Sequence, residues 1–155
     1  AREDLRDKIA NQVEESLEKG ATCLAGGQIP KRSGWFYEAT VLADVKPGMP
    51  AYDEQLFGPV ASLIKAKNED EAIRIANDSP FGLGGGIFTK DEARGLEIAR
   101  TQIDTGMMNV NGFVSSRPNL PFGGVKNSGY GRELGAQGFY EFLNTKVVKV
   151  IKDSQ

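Results

Sequence analysis

Between residues 60 and 110 the chain alternates two kinds of hydrophobic pattern, and that alternation restricts the folds open to it. Val60-Ala61-Ser62-Leu63-Ile64 is a short apolar run behind the rigid Phe57-Gly58-Pro59 turn, and it reads as a strand. Asn68 stands at an N-cap position with Glu71 three residues on, the spacing of a capping box. Ala72, Ile73 and Ala76 then predict the core side of a helix ending near Asn77. Leu83 to Thr89 reads as a glycine-rich strand, Asp91 to Ile103 as a helix with Leu96, Ala99 and Ile103 on one face, and Met107 to Val110 as a strand. Strand, helix, strand, helix, strand predicts an α/β fold with a largely parallel sheet.

The flanks fit around that centre. Leu5, Ile9, Val13 and Leu17 recur every four residues, so 3–19 reads as an amphipathic helix, with Gly20 at the position that ends one. Ala21 to Ala25 is a short strand closed by Gly26-Gly27, and Trp35 to Val45 is extended in character. Lys46-Pro47-Gly48-Met49-Pro50 is a loop, because its two prolines block a regular element. Ala136 to Leu143 reads as a short helix and Lys146 to Lys152 as a last strand. The length suits a single domain.

Residues 111–135 form a long loop rich in Gly, Pro, Asn and Ser. A loop of that length is usually functional or disordered. Order is expected here, because Phe113, Leu120 and Phe122 supply apolar anchors. Nineteen of 155 residues are glycine, about 12% against a usual level of about 7%.

The chain has no histidine and one cysteine. That excludes a Ser-His-Asp or Cys-His pair, an imidazole metal ligand, an internal disulfide and a cysteine zinc site within these residues. Any chemistry must use carboxylates, Lys, Arg, hydroxyls, backbone amides or the lone thiol. A net charge of −2 gives no footprint for nucleic acid, and no polybasic or long apolar run points to a membrane. The opening Ala1-Arg2-Glu3-Asp4 is charged and unlike a secretory leader. With a single cysteine this leads us to expect a reducing, cytoplasmic setting.

Two motifs could carry chemistry. Glu54-Gln55-Leu56-Phe57-Gly58-Pro59-Val60 places a carboxylate and a ring on a stiff turn before a strand. It reads either as a ligand clamp or as a loop with one buried anchor. Leu120 to Glu133 carries the close-set glycines of Pro121-Phe122-Gly123-Gly124-Val125-Lys126-Asn127-Ser128-Gly129-Tyr130-Gly131-Arg132-Glu133. It matches neither a phosphate loop nor a dinucleotide fingerprint, so it reads as backbone packed closely against another segment.

Together these motifs resemble the C-terminal third of NAD(P)-dependent aldehyde dehydrogenases. Asn77-Asp78-Ser79-Pro80-Phe81-Gly82-Leu83 and Trp35-Phe36-Tyr37-Glu38-Ala39-Thr40-Val41-Leu42 agree in order, with Ala39 where the family usually has Pro. The resemblance runs over essentially the whole chain, and within the family it points to the succinate-semialdehyde dehydrogenases. It implies a partial catalytic domain over 1–135, then a short helix and an oligomerisation strand over 136–155. It also implies NAD or NADP as cofactor, a small aldehyde as substrate, and a homo-oligomer joined through 146–152. In such enzymes a Cys thiolate attacks the aldehyde, giving a thiohemiacetal and then a thioester, and a Glu activates water to release the carboxylate.

The family's Gly-Gln-x-Cys and Glu-Leu-Gly-Gly segments do not occur in this sequence. In the family both segments, and the dinucleotide-binding core, precede the region that this chain resembles. No catalytic residue is therefore assigned, and the chain alone is expected to be inactive. Cys23, in Gly20-Ala21-Thr22-Cys23-Leu24-Ala25, has no basic neighbour in sequence to lower its pKa and reads as a structural thiol. By resemblance Glu54 corresponds to the acceptor of a cofactor ribose hydroxyl and Phe57 to the ring beside the nicotinamide. Phe122 corresponds to an aromatic at the mouth of the aldehyde pocket. Ser116 corresponds to a contact for the distal carboxylate of a semialdehyde, with Arg117 beside it and Phe113 lining the same tunnel. Two other readings stay open: a non-catalytic association module, and another aldehyde dehydrogenase subfamily in which Ser116 has no such role.

Overall fold

The computed structural model describes residues 2–151. The chain divides into two compact units, Ala1–Ala72 and Ile73–Gln155, where the length alone suggests one domain.

The first unit begins with α1, Glu3–Glu18. Ile9 and Val13 are buried and Leu5 and Leu17 half-buried, as their spacing requires. Gly20, at φ +102°, closes the helix. Its N–H donates to the Leu17 carbonyl and that of Ala21 to the Ser16 carbonyl, the paired bonds of a glycine-terminated helix. Strands β1 (Thr22–Ala25), β2 (Thr40–Ala43) and β3 (Val60–Ser62) form one sheet in that order. β1 and β2 run antiparallel with a slip between Cys23 and Ala25, while β2 and β3 run parallel. Only 40–43 of the stretch expected to be extended joins a ladder.

Pro50 does not block structure here. It sits in the first turn of a four-residue helix, α2 (Pro50–Asp53), where its missing N–H is not needed. Val13, Ala21, Leu42, Val45, Met49 and Ala51 make the core, with Leu42 fully buried.

Helix α3 (Glu69–Asn77) starts as its sequence predicts, since Asn68 Oδ1 accepts from the Glu71 N–H at 2.9 Å. Glu71 reaches back one residue further than expected, to the Lys67 N–H. Ala72 and Ala76, expected in a core, are exposed; Ile73 and Ile75 are half-buried, so no residue of this helix is fully covered.

The second unit contains β4 (Phe81–Gly82), β5 (Gly84–Ile87), α4 (Glu92–Thr101), β6 (Met107–Val110), β7 (Val125–Lys126) and α5 (Gly135–Tyr140). β5, α4 and β6 form one parallel crossover unit. Asp91 caps α4 by accepting from the Arg94 N–H. That helix buries Gly95 and Ile98, whereas Leu96 is exposed, which corrects the expected face by about one residue. β4 pairs antiparallel with β7. Two parallel and two antiparallel pairings in three small sheets therefore replace the single largely parallel sheet. The fold remains α/β.

The long loop is ordered by hydrogen bonds more than by the apolar anchors expected of it. Phe113 and Leu120 are exposed and only Phe122 is half-buried. Phe122 and Glu133 exchange both backbone bonds, at 2.7 and 2.8 Å. Gly106 lies so close to the Gly123 carbonyl that a side chain on Gly106 would collide with it. Lys126 Nζ donates to the carbonyls of Asn77 at 2.9 Å and Ser79 at 3.1 Å, and lies 3.6 Å from Asp104. The Asn127 N–H donates to the Pro80 carbonyl and the Gly82 N–H to Ser128 Oγ.

The strand expected over 146–152 is not formed within the chain. Residues 144–151 belong to no regular element and are exposed, because no strand among the described residues supplies a ladder partner; Lys152 lies outside the described residues. No helix among the described residues is long and apolar enough to cross a membrane.

Two contacts of the Lys126 ammonium latch the loop to the turn before β4, and the third reaches Asp104 in the segment before β6. Lys126→Met keeps the stem but removes them, so hydrogen exchange at the Asn127 amide is expected to speed up about tenfold. Unchanged protection there would show that the latch does not hold the loop.

Candidate functional site

In the first unit, α2 ends at Glu54, which turns into extended backbone at φ −117° and ψ 161°. Leu56 packs against the core, while Glu54, Gln55 and Phe57 are exposed, with Glu54 bonded to Gln12 of α1. The Phe57 ring is 72% exposed. Gly58 lies directly against the tip of the Ile9 side chain of α1, which would have to move to admit a side chain there. The turn is therefore backed by a helix and open on the other side.

The Glu54 carboxylate is held by a residue that periodicity did not single out. Gln12 Nε2 donates to Glu54 Oε2 at 2.7 Å and to the Gln55 carbonyl at 3.3 Å. Among the described residues no group bonds Glu54 Oε1. Gln12 and Ser16 are buried on the face of α1 that also carries Ile9 and Val13. A polar pair four residues apart inside an apolar stripe was the available signal. A carboxylate with a free oxygen, three residues from an exposed ring, can accept from sugar hydroxyls while the ring covers a flat heteroaromatic face. A hydroxyl acceptor near an exposed ring is compatible with a nucleoside, the riboside of a nicotinamide cofactor among them.

In the second unit, Phe122 lines a cleft of about 370 Å³ together with Leu83, Tyr130, Arg132, Glu133 and Phe142. Arg132 Nη1 donates to the Gly124 and Gly131 carbonyls, at 2.9 and 2.6 Å, and so fixes the glycine loop behind the ring. The cleft contains neither Phe113 nor Ser116. Phe113 packs against Phe88 with ring centroids 5.3 Å apart, and its carbonyl accepts from Asn109 Nδ2 at 2.6 Å. Both rings are exposed. Ser116 and Arg117 stand in an exposed run closed by the bond from the Leu120 N–H to the Arg117 carbonyl. Phe88, at the end of β5, is the partner of Phe113 that sequence reasoning missed; an aromatic directly after Ile87 was its only trace.

Cys23 sits in β1 opposite Leu42 and is half-buried. Its Sγ contacts the carbonyls of Ala25 at 3.3 Å and Gly26 at 3.6 Å. Burial raises the pKa of the nearby Tyr37 phenol, and proximity to Cys23, Glu38 and Glu14 adds to that.

The Aldehyde dehydrogenase family model matches residues 1–148. The succinate-semialdehyde dehydrogenase (NADP+) of Deinococcus radiodurans is 49% identical over 144 residues, covering 93% of this chain and 30% of the relative. The succinate-semialdehyde dehydrogenase (NADP+) 1 of Mycobacterium tuberculosis is 47% identical over 148 residues, covering 96% of this chain and 32% of the relative. Among solved structures, the succinic semialdehyde dehydrogenase of Streptococcus pyogenes in complex with NADP+ superposes with a TM-score of 0.91 at 37% identity, over 97% of this chain and 33% of that one. The chain thus spans about a third of the length of the relatives it matches. With a family match over nearly all its residues, and the glycine-loop and Glu-Phe turn motifs both built into its fold, the chain belongs to the aldehyde dehydrogenase family.

Proposed function

We propose that this chain is the cofactor- and substrate-lining part of an NAD(P)-dependent aldehyde dehydrogenase that oxidises succinic semialdehyde to the carboxylate. The observation that carries the reading is the Glu54–Phe57 turn, an exposed ring and a part-engaged carboxylate on a backed, rigid loop. The names of its relatives support the substrate. The cofactor, when bound, supplies the hydride acceptor. Glu54 accepts a ribose hydroxyl through its free oxygen, and Phe57 lies along the nicotinamide and excludes water from that side. Phe122 borders the aldehyde entrance; Phe113 and Ser116, outside the Phe122 cleft, take the further passage, where Phe113 lines it and Ser116 donates to the distal carboxylate.

In this reading residues 1–135 belong to the catalytic domain, and 136–155 hold a short helix and a strand that pairs with a second copy. The exposed Val147, Val148, Val150 and Ile151 support that pairing. The attacking thiol and the water-activating carboxylate come from sequence outside these residues, and the thiohemiacetal and thioester form on that thiol. Cys23 is a structural thiol.

In the intact gene product, Glu54→Gln is expected to slow single-turnover hydride transfer and raise the cofactor KM, each about tenfold, the worth of a hydrogen bond to a charged group. Unchanged single-turnover kinetics would remove the ribose contact. Ser116→Ala is expected to raise KM for succinic semialdehyde about tenfold, leaving an uncharged aldehyde of similar length unaffected. Equal losses on both aldehydes would remove the carboxylate contact.

A further inference from the structure

Glu54 and Phe57 can meet one ligand only while the turn between them keeps its shape, and that shape is set from α1. Gln12 is 6% exposed, and its side-chain amide donates twice. The bond to Glu54 Oε2 fixes the carboxylate; the bond to the Gln55 carbonyl fixes the main chain as it leaves α2. Both donors of one amide are thereby spent on a single turn 42 and 43 residues away in sequence. The start of α2 is tied to the same stretch of helix. Ser16 Oγ donates to the Gln12 carbonyl at 2.7 Å and accepts from the Ala51 N–H at 3.0 Å. One turn further along α1, Ile9 stands against Gly58. Three positions on one helix face therefore meet α2 and the turn at both ends.

We infer that Gln12 is the positioning residue of this turn, holding the Glu54 carboxylate and the Gln55 carbonyl so that Glu54 Oε1 and the Phe57 ring address the same nicotinamide riboside. It touches no ligand itself, and the inference rests on the reading of Glu54 and Phe57 given above. If Gln12 acts through Glu54, the effects of changing the two residues do not multiply.

The test is a pair exchange in the intact gene product, with KM for NADP+ and for the aldehyde measured separately beside the melting temperature. Gln12→Glu sets two carboxylates against each other and is expected to raise the NADP+ KM about tenfold, leaving the aldehyde KM within about twofold. Adding Glu54→Gln removes the group through which Gln12 acts, so the NADP+ KM of the double variant is expected to equal that of Glu54→Gln alone, about tenfold raised rather than about a hundredfold. A purely structural Gln12 would lower the melting temperature without splitting the two KM values. If Glu54→Gln raises the NADP+ KM while Gln12→Glu does not, or if the two effects multiply so that the double variant is about tenfold worse than Glu54→Gln alone, the positioning role is overturned and the Glu54 reading stands. If Glu54→Gln itself leaves the NADP+ KM unchanged, the Glu54 reading fails and this inference with it. Where Gln12→Glu does not fold, Gln12→Met removes the donor without adding charge and is expected to give the same split. Equal changes in both KM values would then overturn the role.

Discussion

A helix that buries polar side chains must find partners for them, and α1 meets that constraint in a way that organises the first unit. Ser16 is fully buried and Gln12 nearly so. An unsatisfied buried donor costs about 1–3 kcal/mol. Every donor on these two side chains is used: the Ser16 hydroxyl closes onto its own helix, and the Gln12 amide reaches the turn after α2. The helix can seat its apolar stripe on the Leu42 core only in the register that also satisfies these bonds. The position of the Glu54–Phe57 turn is thus a consequence of how α1 packs.

The second unit solves a different problem, that of keeping 25 residues of loop in one shape with few buried side chains. It does so by bringing main chain against main chain. Gly106 against Gly123 allows an approach that any side chain would prevent, and Arg132 and Lys126 tie further main-chain carbonyls of this region, those of Gly124, Asn77 and Ser79. The glycine excess is therefore a packing device. It supports the Phe122 ring at the rim of its cleft and leaves Phe88 and Phe113 standing proud as a paired apolar surface.

The elements with strong local signals were legible in the sequence: α1 with its glycine stop, the Asn68 cap of α3, and β6 over its full length. Where the reading failed, non-local geometry decided. α2 was hidden because Pro50 looks like a breaker until its place in the first turn is known. The buried face of α4 shifted because Gly95, with no apolar side chain to count, is the residue against the sheet. The tail over 146–151 has strand composition, but pairing is a property of two segments and composition describes one. Glu54 and Phe57 were visible as a motif; Gln12 was not, because its role depends on a turn 42 residues away.

The account divides labour within an aldehyde dehydrogenase: this chain shapes and lines, and the groups that make and break bonds lie in sequence it does not contain. The most direct measurement is NAD(P)H absorbance from a sample whose intact mass shows residues 1–155 alone, given succinic semialdehyde with NAD+ or NADP+. The account predicts no turnover above background with either cofactor. Sustained production of NADH or NADPH by that sample would contradict it, because the reacting thiol would then have to be Cys23.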